Sequence, residues 1–140
     1  MTVQATANDK WLEILRETVV ALVKRDGPDL SARQLGVFLI CYLRDGSHTV
    51  RGLAAEMNVS KPAITRALDR LTELDLARRK IDPMDRRSVL VQRTLKGANF
   101  LRDLRGIMGE AAGNNGGTTN GNGRRTARAQ HETQLRAVNN

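Results

Sequence analysis

Aromatic side chains make up only 3% of the 140 residues, and there is a single cysteine, Cys41. So few rings predict a core of aliphatic side chains and argue against a surface that binds single strands by stacking bases on exposed rings. One cysteine excludes an internal disulfide and points to a reducing compartment. No apolar run approaches the ~18 residues that a membrane span needs. No N-terminal stretch combines a basic start, an apolar run and a small-residue cleavage site. These absences predict a soluble, cytoplasmic protein without a membrane partner. The ingredients of catalysis are missing too: no Gly-rich phosphate loop behind a strand, no paired histidines, no Ser or Cys near a recognisable base. We therefore expect no enzyme and no cofactor. His48 and His131 stand apart from any cluster of Cys, His and acids at metal-ligand spacing, so no metal site is expected either.

What the chain has is positive charge. Lys and Arg number 23 against 15 Asp and Glu, giving a formal net charge of +8 and a pI near 10.7. That balance predicts attraction to nucleic acid or an anionic membrane and says nothing of fold. A hydrophobic content of 40% suffices for one domain with a modest core. We divide the chain into a flexible N-terminus over 1–8, a folded domain over 9–112 and a disordered basic tail over 113–140. Residues 113–123 are all Gly, Asn and Thr, and the remainder is polar with four arginines and a single acid, a composition that cannot bury enough surface to offset its ordering entropy. There is no internal repeat.

Within the folded part, Trp11, Ile14, Leu15, Thr18, Val19, Leu22 and Val23 recur at three- and four-residue steps, which predicts a helix from about Asp9 to Arg25. Asp26-Gly27-Pro28-Asp29 breaks it. Ser31 is the expected N-cap of a second helix carrying Leu35, Phe38, Leu39, Cys41 and Tyr42, which stops at Asp45-Gly46. A brief extended stretch at His48 to Val50 leads to a short helix marked by Leu53, Ala54 and Met57 and ended by Asn58, a residue tolerant of the left-handed conformation. Ser60 then caps a helix with Pro62 in its first turn, where a missing amide hydrogen costs little. Ile64, Ala67, Leu68, Leu71 and Leu74 share one side of it, while Pro62, Thr65, Arg66 and Asp69 lie roughly opposite. Leu76 to Ile81 and Ser88 to Arg93 read as a hairpin with Pro83 in its turn. Thr94 caps a last helix with apolar positions Phe100, Leu101, Leu104, Ile107 and Met108.

Short helix, turn, capped helix, hairpin is the order of a winged helix-turn-helix, in which the second helix enters the major groove of duplex DNA and the hairpin tip reaches the minor groove. The residue chemistry suits each part. Lys61, Arg70 and Arg79 offer charge to phosphates, and Ser60, Pro62, Thr65 and Arg66 are placed to read base edges. Arg86 and Arg87 tip the wing, where a guanidinium reads groove width. Asp82 and Asp85 look misplaced beside DNA and act as anchors that either accept from turn amides or hold an arginine in its fork geometry. Arg78, Arg79 and Lys80 form a strand edge facing phosphate or solvent. Cys41, in the apolar stripe of its helix with Arg44 one turn on, is packing filler in preference to a redox switch.

The stretch Leu53-Ala54, Val59-Ser60-Lys61, Thr65-Arg66, Asp69-Arg70-Leu71, Leu76-Ala77-Arg78-Arg79, Asp82-Pro83-Met84-Asp85-Arg86-Arg87-Ser88 and Thr94-Leu95-Lys96-Gly97 resembles the MarR-type bacterial transcription regulators. Leu30-Ser31-Ala32-Arg33-Gln34-Leu35 resembles the opening of their second helix, so the similarity spans roughly residues 10 to 110. The resemblance implies a mainly α winged helix with a small β wing and N- and C-terminal dimerisation helices, an obligate homodimer reading a pseudopalindrome, and repression often relieved by a small-molecule effector or by cysteine oxidation. The dimer is expected through Trp11, Leu15, Val19 and Leu22 with Phe100, Leu101, Leu104 and Met108. Trp11 has a second possible use, lining a ligand pocket. The sequence departs from the family pattern at Asp75, where glycine is usual, and at Arg93, where leucine is customary. After Met108 it turns to Gly and Asn where the family continues into a longer fifth and a sixth helix. Two other functions are consistent with these residues: a winged-helix scaffold for protein partners, and an architectural protein coating DNA without sequence preference.

Overall fold

Every helix begins behind a Ser or Thr whose hydroxyl oxygen accepts a hydrogen bond from a first-turn amide that has no partner within the helix. The computed structural model describes residues 6–116 and contains five helices and three strands. Thr6 caps α1 (Ala7–Lys24) in a reciprocal box with Asp9, and Ser31 caps α2 (Ala32–Leu43) in the same way with Gln34. Thr49 caps α3 (Val50–Met57), Ser60 caps α4 (Lys61–Glu73) and Thr94 caps α5 (Leu95–Asn115). The reversals fall at left-handed residues: Asn58 at φ 53° after α3, and Asp75 at φ 56° after α4. Asp75 thus takes up the glycine-like geometry its position needs, at some cost to an L residue.

The sheet is antiparallel, in the order β1 (His48–Thr49), β3 (Val89–Arg93), β2 (Ala77–Ile81). His48 pairs with Val91, and Ala77 with Arg93. The extended stretch before α3 is therefore a third strand that ties the base of the wing to the helices.

The core lies between α2, α4 and the start of α5. Val37, Phe38, Leu53, Ile64, Leu68, Leu71 and Leu76 are essentially inaccessible. Aliphatic side chains dominate by number, yet the few rings are concentrated there. Phe38 stacks on Tyr42 at 4.3 Å between centroids and meets Phe100 edge-on at 5.1 Å, leaving Trp11 as the one aromatic residue outside the cluster. An expectation of a purely aliphatic core misses this, because composition counts rings and does not say where they go.

α1 and α5 pack along each other. Arg25 Nη2 reaches Asp103 at 3.2 Å, and at the far end Asn115 Nδ2 donates to Glu17 at 2.8 Å. This contact carries α5 to Asn115, three residues into the stretch that composition assigns to a tail, because tertiary packing outweighs the poor helix propensity of Gly and Asn. α1 likewise starts at Ala7, inside the N-terminal segment read as flexible. The remainder of the expected flexible start, 1–5, and of the expected tail, 117–140, lies outside the described residues, as does His131. Among the described residues no helix is long and apolar enough to cross a membrane, and no group of three or more His, Cys, Asp or Glu could hold a metal ion.

Candidate nucleic-acid interface

The left-handed Asn58 turns the chain so that α4 leaves α3 at once, with Val59 N donating to Ala54 O at 3.0 Å. α4 then divides cleanly. Ala63, Ile64, Ala67, Leu68 and Leu71 are buried, while Lys61, Pro62, Thr65, Arg66 and Asp69 are exposed. Ser60 keeps its hydroxyl oxygen on Ala63 N at 3.2 Å, so it serves first as the cap that points this outer face away from the body.

The wing loop is held by its acids. Asp82 Oδ1 accepts from Met84 N at 2.9 Å, Asp85 Oδ1 accepts from Arg87 N at 3.1 Å, and Asp85 Oδ2 accepts from the Ser88 hydroxyl at 3.1 Å. Asp82 N and Ser88 N close the loop on Ser88 O and Asp85 O. Of the two roles expected for these carboxylates, the structure has the first. They anchor turn amides, and among the described residues neither forms an ion pair with Arg86 or Arg87, because the local amides satisfy them two residues on. Both guanidinium groups are left exposed at the tip.

Other arginines assigned to phosphates carry partners. Arg79 Nη2 lies 2.7 Å from Asp69, and Arg70 Nη1 lies 3.2 Å from Glu73. Arg78 reaches Asp75 at 3.5 Å. Such exposed pairs are worth roughly 0 to 1 kcal/mol, so exchange for a phosphate costs little.

Between α4 and the wing runs a cleft of about 230 Å³ lined by Thr49, Val50, Arg51, Lys61, Thr65, Arg87, Ser88 and Val89. It brings together three residues singled out in the sequence, Lys61, Thr65 and Arg87, from elements more than twenty positions apart. It also brings in Arg51, which sequence reasoning passed over. The available signal was Thr49-Val50-Arg51-Gly52, a hydroxyl cap with glycine three residues on, which repeats the pattern at Thr94-Leu95-Lys96-Gly97 and puts Arg51 in an exposed first turn.

No curated protein matches the chain in sequence. Residues 28–88 match the model of the MarR family. Over that segment the chain is similar to the MarR-family winged helix. Solved structures share the fold over nearly the whole chain. YusO from Bacillus subtilis is 22% identical over 91% of this chain and 86% of that one, with a TM-score of 0.64. A mutant of MepR from S. aureus, bound to an oligodeoxyribonucleotide, is 16% identical over 96% and 99%, with a TM-score of 0.65. CouR from Rhodococcus jostii RHA1, bound to p-coumaroyl-CoA, is 26% identical over 89% and 82%, with a TM-score of 0.57.

Arg93, the departure from the MarR pattern at the end of the wing, has a structural use. Its Nε donates to Cys41 O at 2.8 Å and its Nη2 to Arg44 O at 3.1 Å, and the guanidinium sits 5.7 Å from the Tyr42 ring centroid. A cation at the C-terminal carbonyls of α2 is favoured by the helix dipole. The Tyr42 hydroxyl donates to Leu76 O at 2.7 Å and accepts from Thr94 N at 2.9 Å, so α2, the base of the wing and the start of α5 meet at one point. Gly97 is required there. A Cβ on it would lie 1.7 Å from the Tyr42 hydroxyl oxygen and 2.6 Å from Leu76 O.

Burial raises the Cys41 thiol to about 11, against a smaller opposing effect of the Arg93 charge. The cation facing it is thus Arg93; Arg44 pairs instead with Glu56. A thiol so raised is a poor nucleophile at neutral pH.

The residues expected between two copies divide. Phe100, Leu101 and Leu104 are buried within their own chain, so they belong to the core of the protomer, since α5 turns that face inward on α1 and α2. Leu22 is half-buried. Trp11, Leu15, Val19 and Met108 are exposed, as are Leu12, Val20 and Val23.

Proposed function

We propose that the protein is a sequence-specific double-stranded DNA-binding regulator of transcription that acts as a homodimer and represses by occupying a pseudopalindromic operator. The observation that carries this reading is the outer face of α4 standing beside an arginine-tipped wing, with a cationic cleft between them. In this mechanism Ser60, Pro62, Thr65 and Arg66 meet base edges in the major groove. Lys61, Arg70 and Arg79 contact phosphates and set the register, the last two by exchanging their acid partners for the backbone. Arg86 and Arg87 enter the minor groove, with Asp82 and Asp85 fixing the loop that presents them. The exposed apolar stripe of α1, from Trp11 through Leu15 and Val19 to Val23, joins Met108 against the same surface of a second copy, so that two recognition helices face successive turns of one duplex. The oligonucleotide held by the MepR mutant supports the choice of target, and the acyl-CoA held by CouR supports an effector of small-molecule class. The working compartment is the bacterial cytoplasm, on the nucleoid.

Selection of bound duplexes from a random pool at near-physiological salt tests this. An enriched inverted repeat with half-sites about one turn apart is expected. The same selection with Arg66→Ala is expected to lose preference at one position of each half-site. A pool that stays random would favour the architectural or protein-scaffold alternatives and remove the operator from the mechanism.

A further inference from the structure

We infer that the cleft between the start of α3, the start of α4 and the wing seats one phosphodiester of the DNA backbone in each half-site, with Arg51 as a phosphate-contacting residue beside Lys61. This rests on the DNA-binding reading above and adds a site to it. Three features converge on the cleft.

The first is its lining. Arg51, Lys61 and Arg87 supply three cations, Thr49 and Thr65 supply hydroxyls, and no acid lines it. Several neighbouring cations are instead paired within the chain, Arg70 with Glu73, Arg78 with Asp75, Arg79 with Asp69 and Arg44 with Glu56, while Arg66 and Arg86 stand exposed outside the cleft. Arg51, Lys61 and Arg87 form no ion pair among the described residues. A concave group of unneutralised cations concentrates anions. Thr49 Oγ1 accepts from Gly52 N at 3.0 Å, which leaves its hydroxyl hydrogen free to donate outward. Ser88 donates to Asp85 at 3.1 Å and therefore serves as wall.

The second is helix electrostatics. Arg51 lies in the first turn of α3 and Lys61 opens α4, and neither first turn holds an acid. A cation there opposes the positive end of the helix dipole, so each costs its helix stability. α2 and α5 also open with a cation, Arg33 and Lys96, and no acid, whereas α1 has Asp9 in its first turn; what sets α3 and α4 apart is that their two cations line one cleft. Two helices that begin with the disfavoured sign, on opposite sides of one cleft, are consistent with an anion between them.

The third is position. The sugar-phosphate strand is the ridge separating the major from the minor groove. An element in each groove must straddle one strand, and the cleft is the space between those two elements. That geometry selects a phosphodiester of the duplex over a free oxyanion.

The test uses the full chain and the selected operator, with Arg51→Ala and Arg51→Lys. Affinity is measured from low to high salt, and ethylation interference maps the phosphates contacted. For Arg51→Ala we expect weaker binding to specific and random duplexes alike and a log-log salt dependence flatter by about 1 for each copy bound. Ethylation interference should vanish at one phosphate per half-site. Its melting temperature should stay equal or rise, since an unfavourable charge has left the helix start. Arg51→Lys should keep the salt slope. Unchanged slope and interference pattern, in a protein that still selects its operator, would overturn the phosphate seat alone. If inorganic phosphate shifts the Arg51 side-chain NMR signals while the interference pattern ignores the substitution, the cleft takes a free oxyanion and the inference fails. Failure of the wild-type chain to bind any duplex would overturn the DNA-binding reading itself.

Discussion

From Ala32 to Phe100 most apolar side chains close on one another: Val37, Phe38, Leu53, Ile64, Leu68 and Leu71 have no more than 1% of their surface in contact with solvent, and the large exceptions, Leu43, Ile81, Met84 and Leu95, are scattered. α1 behaves in the opposite way. It buries only Ile14 and Thr18 and leaves Trp11 68%, Leu15 56% and Val23 71% exposed. The two regions have similar caps and similar helical periodicity, so local signals do not separate them. The winged helix buries most of its hydrophobic pattern within one chain, whereas α1 leaves a continuous apolar stripe that α5 does not cover. Burying one such side chain fully is worth about 1.5 to 3 kcal/mol, which makes a second copy the natural completion of α1 in the mechanism proposed here.

The contrast can be broken at its tightest point first. Gly97→Ala forces a methyl group into the space of the Tyr42 hydroxyl and the Leu76 carbonyl, and we expect a loss of about 3 kcal/mol or more in denaturant unfolding. A near-neutral effect would mean that the junction of α2, wing and α5 is looser than its geometry. Next, Leu15→Asp places a charge in the open stripe of α1. Sedimentation should show dissociation of the dimer by about 100-fold or more, with the circular dichroism of the winged helix retained. Intact assembly would move the interface elsewhere. Ser60→Ala should cost about 1 kcal/mol by removing the α4 cap, and DNA affinity should fall in step as the start of the recognition face frays.

The smallest effect concerns Cys41. With the folded thiol raised to about 11 from an ordinary 9.0, the folded state holds its proton more tightly than the unfolded chain. Its contribution to stability is therefore complete below pH 9 and declines between pH 9 and 11. At pH 8, alkylation should be much slower in the folded protein than in the denatured chain. Rapid labelling of the native protein would reopen a redox role for this residue.

How far the sequence was legible varies with the range of the interaction. Ser31, Ser60 and Thr94 announce their helices because a cap is satisfied within three residues, and Asn58 announces its turn for the same reason. The outer face of α4 was readable because burial of Ile64, Leu68 and Leu71 fixes the helix phase. Arg51 was missed because its importance comes from a cleft whose other walls lie at Lys61 and Arg87. The sequence left two roles open for the acids of the wing, and that they accept from turn groups rather than pair with an arginine depends on loop geometry. The end of α5 was placed too early because Asn115 finds Glu17 on a helix nearly a hundred residues away.

The sequence by itself determined the number and kind of the helices, their starts, the hairpin with its turn and the positive charge of the whole, since each follows from periodicity, capping or composition within a few neighbouring residues. Tertiary structure alone decided which cations are neutralised and which stand open. It also decided that Arg93 closes the end of α2, that Phe100, Leu101 and Leu104 belong to the core, and that α1 is left with an uncovered face. These outcomes depend on distances between residues far apart in the chain, and such distances exist only once the core has closed.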